Sequence, residues 1–223
     1  MKARIAGLAV TLSTVVIAGS ACGSSKDDGS GTFGGGSTAS TGSTANAGTE
    51  SSKSADQIVS DAKGAAGQAA SVHVTGSISG SPLDVVATQD GRAQGTVPAN
   101  DGGSIKFVLT GPDTCYAASD KSNGQFVKQT DSSTKEFASN FTMKVLVGEA
   151  ITPTGAITKA GTATVNGQAA VNVQSARGGV LSVADNSAQP YPLKLVNPAR
   201  GQLNFADWGK EVTISIPPNT TGS

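Results

Sequence analysis

An α+β domain, an antiparallel sheet with helices on one face, is what this sequence predicts, and three observations carry the prediction. Stretches rich in β-branched residues alternate with period two and are separated by glycine turn dipeptides at hairpin spacing. Two stretches with helical spacing, each opened by a capping box, stand at the start and in the middle of that series. Short connections join antiparallel neighbours, and helices interrupting such a meander pack together on one side of it.

Ahead of the domain lie two segments of different character. Lys2 and Arg4 precede fourteen uncharged residues, Ile5 to Ala18, and then Gly19-Ser20-Ala21-Cys22. A positive start, a short apolar run and small residues form an export leader. Fourteen residues fall short of the ~20 that span a bilayer. The order Gly-Ser-Ala-Cys resembles a bacterial lipobox, with Gly19 where that motif prefers Leu. That resemblance makes residues 1–21 a lipoprotein signal peptide and Cys22 the acylated mature N-terminus. The alternative is an ordinary secretory leader cut near Ala21. From Gly23 to Ser52 only Phe33 is large and apolar, too little to offset the entropy of ordering. Residues 22–52 are therefore expected to be a disordered tether spanning roughly 30 Å. Residues 53–218 form the domain, and 219–223 a tail.

The domain opens with Ser54 and Gln57, an S-x-x-Q capping box, followed by Ile58, Ala62, Ala65/Ala66 and Ala69 on one stripe. Gly64 and Gly67 each cost about 1 kcal/mol of helix propensity, so this small-faced helix is expected to lie close against a sheet. From Ser71 the period becomes two, with Val72, Val74 and Ile78 opposite His73, Thr75 and Ser77. Asp90-Gly91 and Asn166-Gly167 are type I′ turn dipeptides. Strands are expected at Ile105–Thr110, Thr114–Ser119, Gln125–Thr130, Thr162–Val165, Ala169–Ser175, Val180–Asp185, Leu193–Val196 and Val212–Ile216. Between them, Ser133-x-x-Glu136 reads as a second capping box before Phe137, Phe141, Val145, Leu146 and Ala150, ended by Gly148 and Pro153. Met143 and Val147 make that helix apolar on more than one side, so it belongs inside something.

Composition narrows the function. The formal net charge is zero, no basic run occurs, and one Trp with two Tyr makes no base-stacking platform, which argues against nucleic acid as a partner. No polybasic patch serves anionic headgroups, so membrane attachment rests on acyl chains at Cys22. With Cys22 lipidated, Cys115 has no partner for an intramolecular disulfide.

A family resemblance joins these blocks. The tail Leu203-Asn-Phe-Ala-Asp-Trp-Gly-Lys-Glu-Val-Thr-Ile-Ser-Ile-Pro-Pro218 looks like the closing signature of the actinobacterial LppX/LprG lipoproteins. The helix running into Ser71-Val-His-Val-Thr-Gly, the hairpin Gly161-Thr-Ala-Thr-Val-Asn-Gly-Gln-Ala-Ala-Val-Asn-Val and the strand pair around Cys115-Tyr116 point the same way. The resemblance implies a LolA/LolB-like half-barrel, a curved antiparallel sheet wrapped around a few helices. It also implies lipid or lipoglycan binding and transport in the cell envelope, without naming the lipid.

Enzymatic chemistry finds little support. His73, the single histidine, is out of phase with the apolar positions of its strand, and no G-x-S-x-G elbow presents a serine to it. Ser60-x-x-Lys63 and Ser132-x-x-Lys135 match S-x-x-K but lack the companion motifs. One His and two Cys do not make a zinc site, and no calcium or phosphate loop is present, so neither metal nor cofactor is expected. Cys115 reads as a small buried hydrophobe, with a redox or intermolecular role as the alternative. Trp208 reads as packing over the sheet end, or else standing at a cavity mouth.

The apolar interior is the remaining candidate. Val72, Val74, Ile78, Phe107, Leu109, Tyr116, Phe137, Phe141 and Val145 are the expected lining of a space between sheet and central helix. The small inward residues either leave room for acyl chains or let sheet and helix close up. The expected protein is thus a non-enzymatic lipid carrier on the outer face of the bacterial cell membrane, with a lipid ligand and an envelope protein as further partner. With a filled core it would instead be an envelope interaction or scaffold module.

Overall fold

The computed structural model describes residues 49–99 and 102–221. The leader, Cys22 and nearly all of the expected tether lie outside the described residues. A 3-10 turn at Glu50–Ser52 already belongs to the folded unit: the Ser51 amide donates to Asp185 at 2.8 Å, and Lys159 donates to the Ser51 carbonyl at 2.9 Å. The folded unit thus includes Glu50–Ser52, a few residues before the expected boundary at 53. Lys53 ties this turn to the first helix, with Nζ 2.7 Å from both Glu50 and Asp61.

Helix α1 spans Ala55–Gln68 and starts as its sequence requires. The Ser54 hydroxyl accepts from the Gln57 amide, and the Gln57 side chain accepts from the Ser54 amide. Its buried face, Ala55, Ile58, Val59, Ala62 and Ala66, is mostly small, which lets the helix axis approach the sheet.

Six strands then run as a meander: β1 Ser71–Ile78, β2 Ser81–Thr88, β3 Ala93–Pro98, β4 Ser104–Gly111, β5 Thr114–Ser119 and β6 Phe126–Gln129. A second meander comprises β7 Ile157–Val165, β8 Gln168–Ser175, β9 Val180–Ala184, β10 Pro192–Asn197 and β11 Gly201–Ala206. Antiparallel pairing of β1 with β11 fuses the two into one large, curved, unclosed sheet. The order is β12-β6-β5-β4-β3-β2-β1-β11-β10-β9-β8-β7, where β12 is Thr220–Thr221, paired in parallel with β6. Asn166 and Gly167 both have positive φ, as a type I′ hairpin demands. Asp90 does not, and only Gly91 is left-handed there. A two-residue Ser79-Gly80 turn, both positive in φ, makes the tight β1–β2 hairpin instead.

Two expectations are corrected. The second helix is not continuous: α2 covers Ser132–Ser139, and a π-helical turn covers Lys144–Glu149. Its cap is Asp131, whose carboxylate accepts from the Thr134 amide at 3.0 Å, not a Ser133/Glu136 box. Between the two pieces, side chains take over the backbone acceptors. Ser139 Oγ and Asn140 Nδ2 both donate to the Glu136 carbonyl, and Thr142 Oγ1 donates to that of Ser139. Such local bonds compete with the helix ladder.

The expected strand Val212–Ile216 is not in the sheet. By then β1 is paired on both sides, by β2 and β11, so no ladder position beside it is free. Asp207 turns the chain out with φ 53°. The Gly209 amide then donates to the Ser71 carbonyl, and the Ser71 hydroxyl to the Lys210 carbonyl at 2.6 Å. The segment becomes a strap that packs Val212 and Ile214 on Val108, Tyr116 and Phe126, away from the main core.

Candidate functional site

The main core lies on the face of the sheet that carries the helices, and the register decides which residues reach it. Val72 pairs with Ala87, Val74 with Val85 and with Phe205, Phe107 with Gly95 and Ala117, Leu109 with Ala93 and Cys115. These positions share one face and join α1 in a single cluster. Across it, α2 delivers Phe137, and the segment after its end delivers Phe141, two residues beyond Ser139. Phe107 stands 5.3 Å edge-on from Phe137 and 4.5 Å from Phe141, and those two lie 4.9 Å apart.

Six of the nine residues expected to line a common space therefore meet: Val72, Val74, Phe107, Leu109, Phe137 and Phe141. The other three stand apart. Tyr116 is buried on the opposite face with Val108 and Ile214, since its register partner is Val108 and not Phe107. Ile78, at the hairpin end of β1, is 44% exposed. Val145, on the π-helical turn, is half-buried outside the cluster. Three phenyl rings occupy the space between α2 and β4, while α1 contributes the small groups Ala62 and Ala66, and β2, β3 and β5 contribute Ala87, Ala93, Gly95 and Cys115.

Among the clefts that open at the surface of the described residues, two border the helices and the strap. One, of about 340 Å³, lies between the C-terminal half of α1 and the Thr142–Gly148 segment, lined by Lys63, Ala66, Gly67, Gln89, Thr142, Met143, Lys144 and Gly148. The other, of about 450 Å³, lies where the strap leaves β1 and is lined by Ser71, Thr88, Asp90, Arg92, Lys210 and Glu211, among others. In the second, Asp90 accepts from Thr88 and pairs with Arg92 at 2.8 Å; the Thr88 hydroxyl bond chiefly holds its carboxyl below the usual range. The first cleft escaped the sequence reading, because no local spacing connects Lys63 with Lys144.

Several of the remaining singled-out residues have structural partners. His73 Nε2 is 2.8 Å from Asp84 Oδ1, and its Nδ1 is 3.7 Å from Asp207. Asp207 is held below the usual carboxylate range mainly by its bond to Lys210. Ser60 is exposed on α1; Ser132 is exposed as the first residue of α2, and Lys135 pairs with Asp113 at 3.1 Å. Cys115 is a free thiol, 1% exposed, and burial pushes its pKa up to about 12. Trp208 stacks on Tyr191 at 4.9 Å and donates to the Pro192 carbonyl at 2.9 Å, closing the end of the sheet. Among the described residues no group of three or more His, Cys, Asp or Glu could hold a metal, and no helix is long and apolar enough to cross a membrane.

An open, curved antiparallel sheet with its helices held on one face is the half-barrel fold of the LppX/LprG lipoproteins, as the sequence resemblance implied. LprF from Mycobacterium bovis superimposes with a TM-score of 0.59 at 18% identity, covering 73% of this chain and 96% of that one. The lipoprotein LppX from Mycobacterium tuberculosis gives 0.52 at 16% identity, covering 72% and 99%. No family model and no curated protein sequence matches the chain.

Proposed function

We propose that this protein is an exported lipoprotein that takes lipid or lipoglycan acyl chains between its sheet and its helical layer and carries them within the cell envelope. The observation behind the proposal is the cover itself. The half-barrel shared with LppX is here roofed by a small-faced helix and by a helix broken into two short pieces, with Phe137 on the first piece and Phe141 in the break both set on Phe107. A roof in pieces can lift without unfolding the sheet. Ten buried CH₂ groups contribute ~8 kcal/mol, whereas taking one Phe from a core costs about 3–5 kcal/mol. An acyl chain of ordinary length therefore outweighs the ring it displaces. Nothing in this action needs an acid, a base or a metal. Cys22 would hold the domain at the outer face of the membrane, and an envelope protein would receive or supply the cargo.

The filled aromatic contact favours a second reading, a scaffold or interaction module whose interior never opens. Native mass spectrometry of the full chain with lipid extraction separates the two. The carrier retains lipid, and Phe137→Ala, which removes part of the roof, increases the amount retained while lowering stability. A wild type and a folded Phe137→Ala variant that both carry no lipid would rule the carrier out.

A further inference from the structure

The geometry points to an anion site in the cleft between α1 and the π-helical turn, which seats the negatively charged headgroup of a lipid. This rests on the carrier reading above and adds the class of cargo. The only ionisable groups lining the cleft are the ammonium groups of Lys63 and Lys144. Among the described residues neither forms an ion pair, which is equally true of Lys106 and Lys128, so it is their shared place on the cleft that sets these two apart. Two cations facing a cleft without a carboxylate leave a positive potential that an anion would neutralise.

The C-terminal end of α1 at Ala66 and Gly67 carries the negative end of the helix dipole and works against an anion, so the two ammonium groups have to outweigh it. The Gly67 carbonyl, at the end of α1 where helix acceptors lack partners, accepts from Gln89 Nε2 at 3.1 Å. The Thr142 hydroxyl donates to the Ser139 carbonyl at 3.1 Å. The remaining lining consists of Ala66, Gly67, Met143 and Gly148. Ala66 belongs to the main core and Met143 packs against it, so the apolar wall of the cleft continues into the interior. A free inorganic anion has no use for that wall. A phosphate or carboxylate headgroup carrying acyl chains uses both parts, with its charge on the lysines and its first methylenes on Ala66 and Met143. The break at Asn140–Thr142 is what sets Met143 and Lys144 beside α1. Lys63, part of an S-x-x-K pattern with no catalytic partner, gains a role here.

The test offers the full chain an equimolar mixture of phosphatidylglycerol and diacylglycerol with the same acyl chains, and counts bound lipid by native mass spectrometry. A parallel arm offers inorganic phosphate alone. One half-buried and one exposed lysine should give about tenfold preference for phosphatidylglycerol. The ratio should fall to near one in the Lys63→Gln, Lys144→Gln double variant. It should persist in Lys106→Gln, Lys128→Gln, which removes the same charge from exposed positions on β4 and β6. Lipid bound without preference, or preference surviving the double variant, overturns the headgroup site and leaves the carrier standing. Absence of both lipids from every variant overturns both. Phosphate bound through Lys63 and Lys144 with no advantage for phosphatidylglycerol would make the cleft a free-anion site and overturn the headgroup assignment.

Discussion

A Cβ built on Gly95 would stand 2.1 Å from the Asp84 carbonyl oxygen and 2.8 Å from the Val85 Cα, so at this point the backbones of β2 and β3 leave room only for hydrogen. Gly95 lies opposite Val85 and Phe107, under the aromatic contact, and tight approach there is part of how the sheet bends around the helices. Gly95→Ala should therefore cost about 1–3 kcal/mol or more. Gly64→Ala, in the exposed interior of α1 with nothing within 4 Å, should stabilise by about 0.5–1 kcal/mol. Urea denaturation of the two variants checks both; equal effects would mean that the close approach at Gly95 is absent. Cys115 gives a pH prediction. Its thiol ionises near 9.0 in the unfolded chain and near 12 when buried. The stability owed to the neutral thiol is thus complete below pH 9 and drains away between pH 9 and 12, where the unfolded chain loses its proton first. The stability gap between wild type and Cys115→Ala should narrow across that range. Native protein at pH 8 should resist thiol reagents that label it at once after unfolding.

Among the elements, the strap shows how a real pattern can be assigned to the wrong structure. Val212, Ile214 and Ile216 alternate as a strand does, and alternation reports that one side of an extended segment is buried. It does not report whether the backbone has a ladder to join. Here the strap lies on the outer face, where Ile214 is 5% exposed and Ile216 is 58% exposed. Ile214→Ala should cost about 2 kcal/mol, the low end for a buried isoleucine because its cluster is small. Ile216→Ala should stay within about 0.5 kcal/mol. Equal losses in thermal or urea unfolding would restore both residues to one buried strand face. The opposite case is α1, whose capping box was legible because both of its partners lie within one turn. The second helix was only half legible. Its apolar positions are present, but Ser139, Asn140 and Thr142 turn their side chains onto the backbone, a competition that apolar spacing does not record.

At the scale of the whole molecule, a tether and an acyl anchor would place the half-barrel beside the membrane that holds the proposed cargo. Cys22 lies outside the described residues, so the anchor remains a proposal from its lipobox-like surroundings, and it has a direct measurement. Radiolabelled palmitate should enter the wild type and not Cys22→Ala; label in both, or in neither, would remove the anchor. A Cys22→Ala protein should also be released from the membrane fraction while keeping its fold, because the domain begins at Glu50–Ser52 and no described contact reaches back to residue 22.

Local chemistry is what the sequence determined by itself. The cap at Ser54, the Asn166-Gly167 turn, most of the period-two strands and the face taken by Val72, Val74, Phe107 and Leu109 follow from interactions within a few residues. The tertiary structure alone decided which strands share edges, and so left Val212–Ile216 without a place beside β1. It also put Tyr116 on the far face through its register with Val108, and set Lys144 across a cleft from Lys63. Those outcomes depend on pairings between residues far apart in the chain, whose closure depends on every other pairing in the sheet. No local period encodes them.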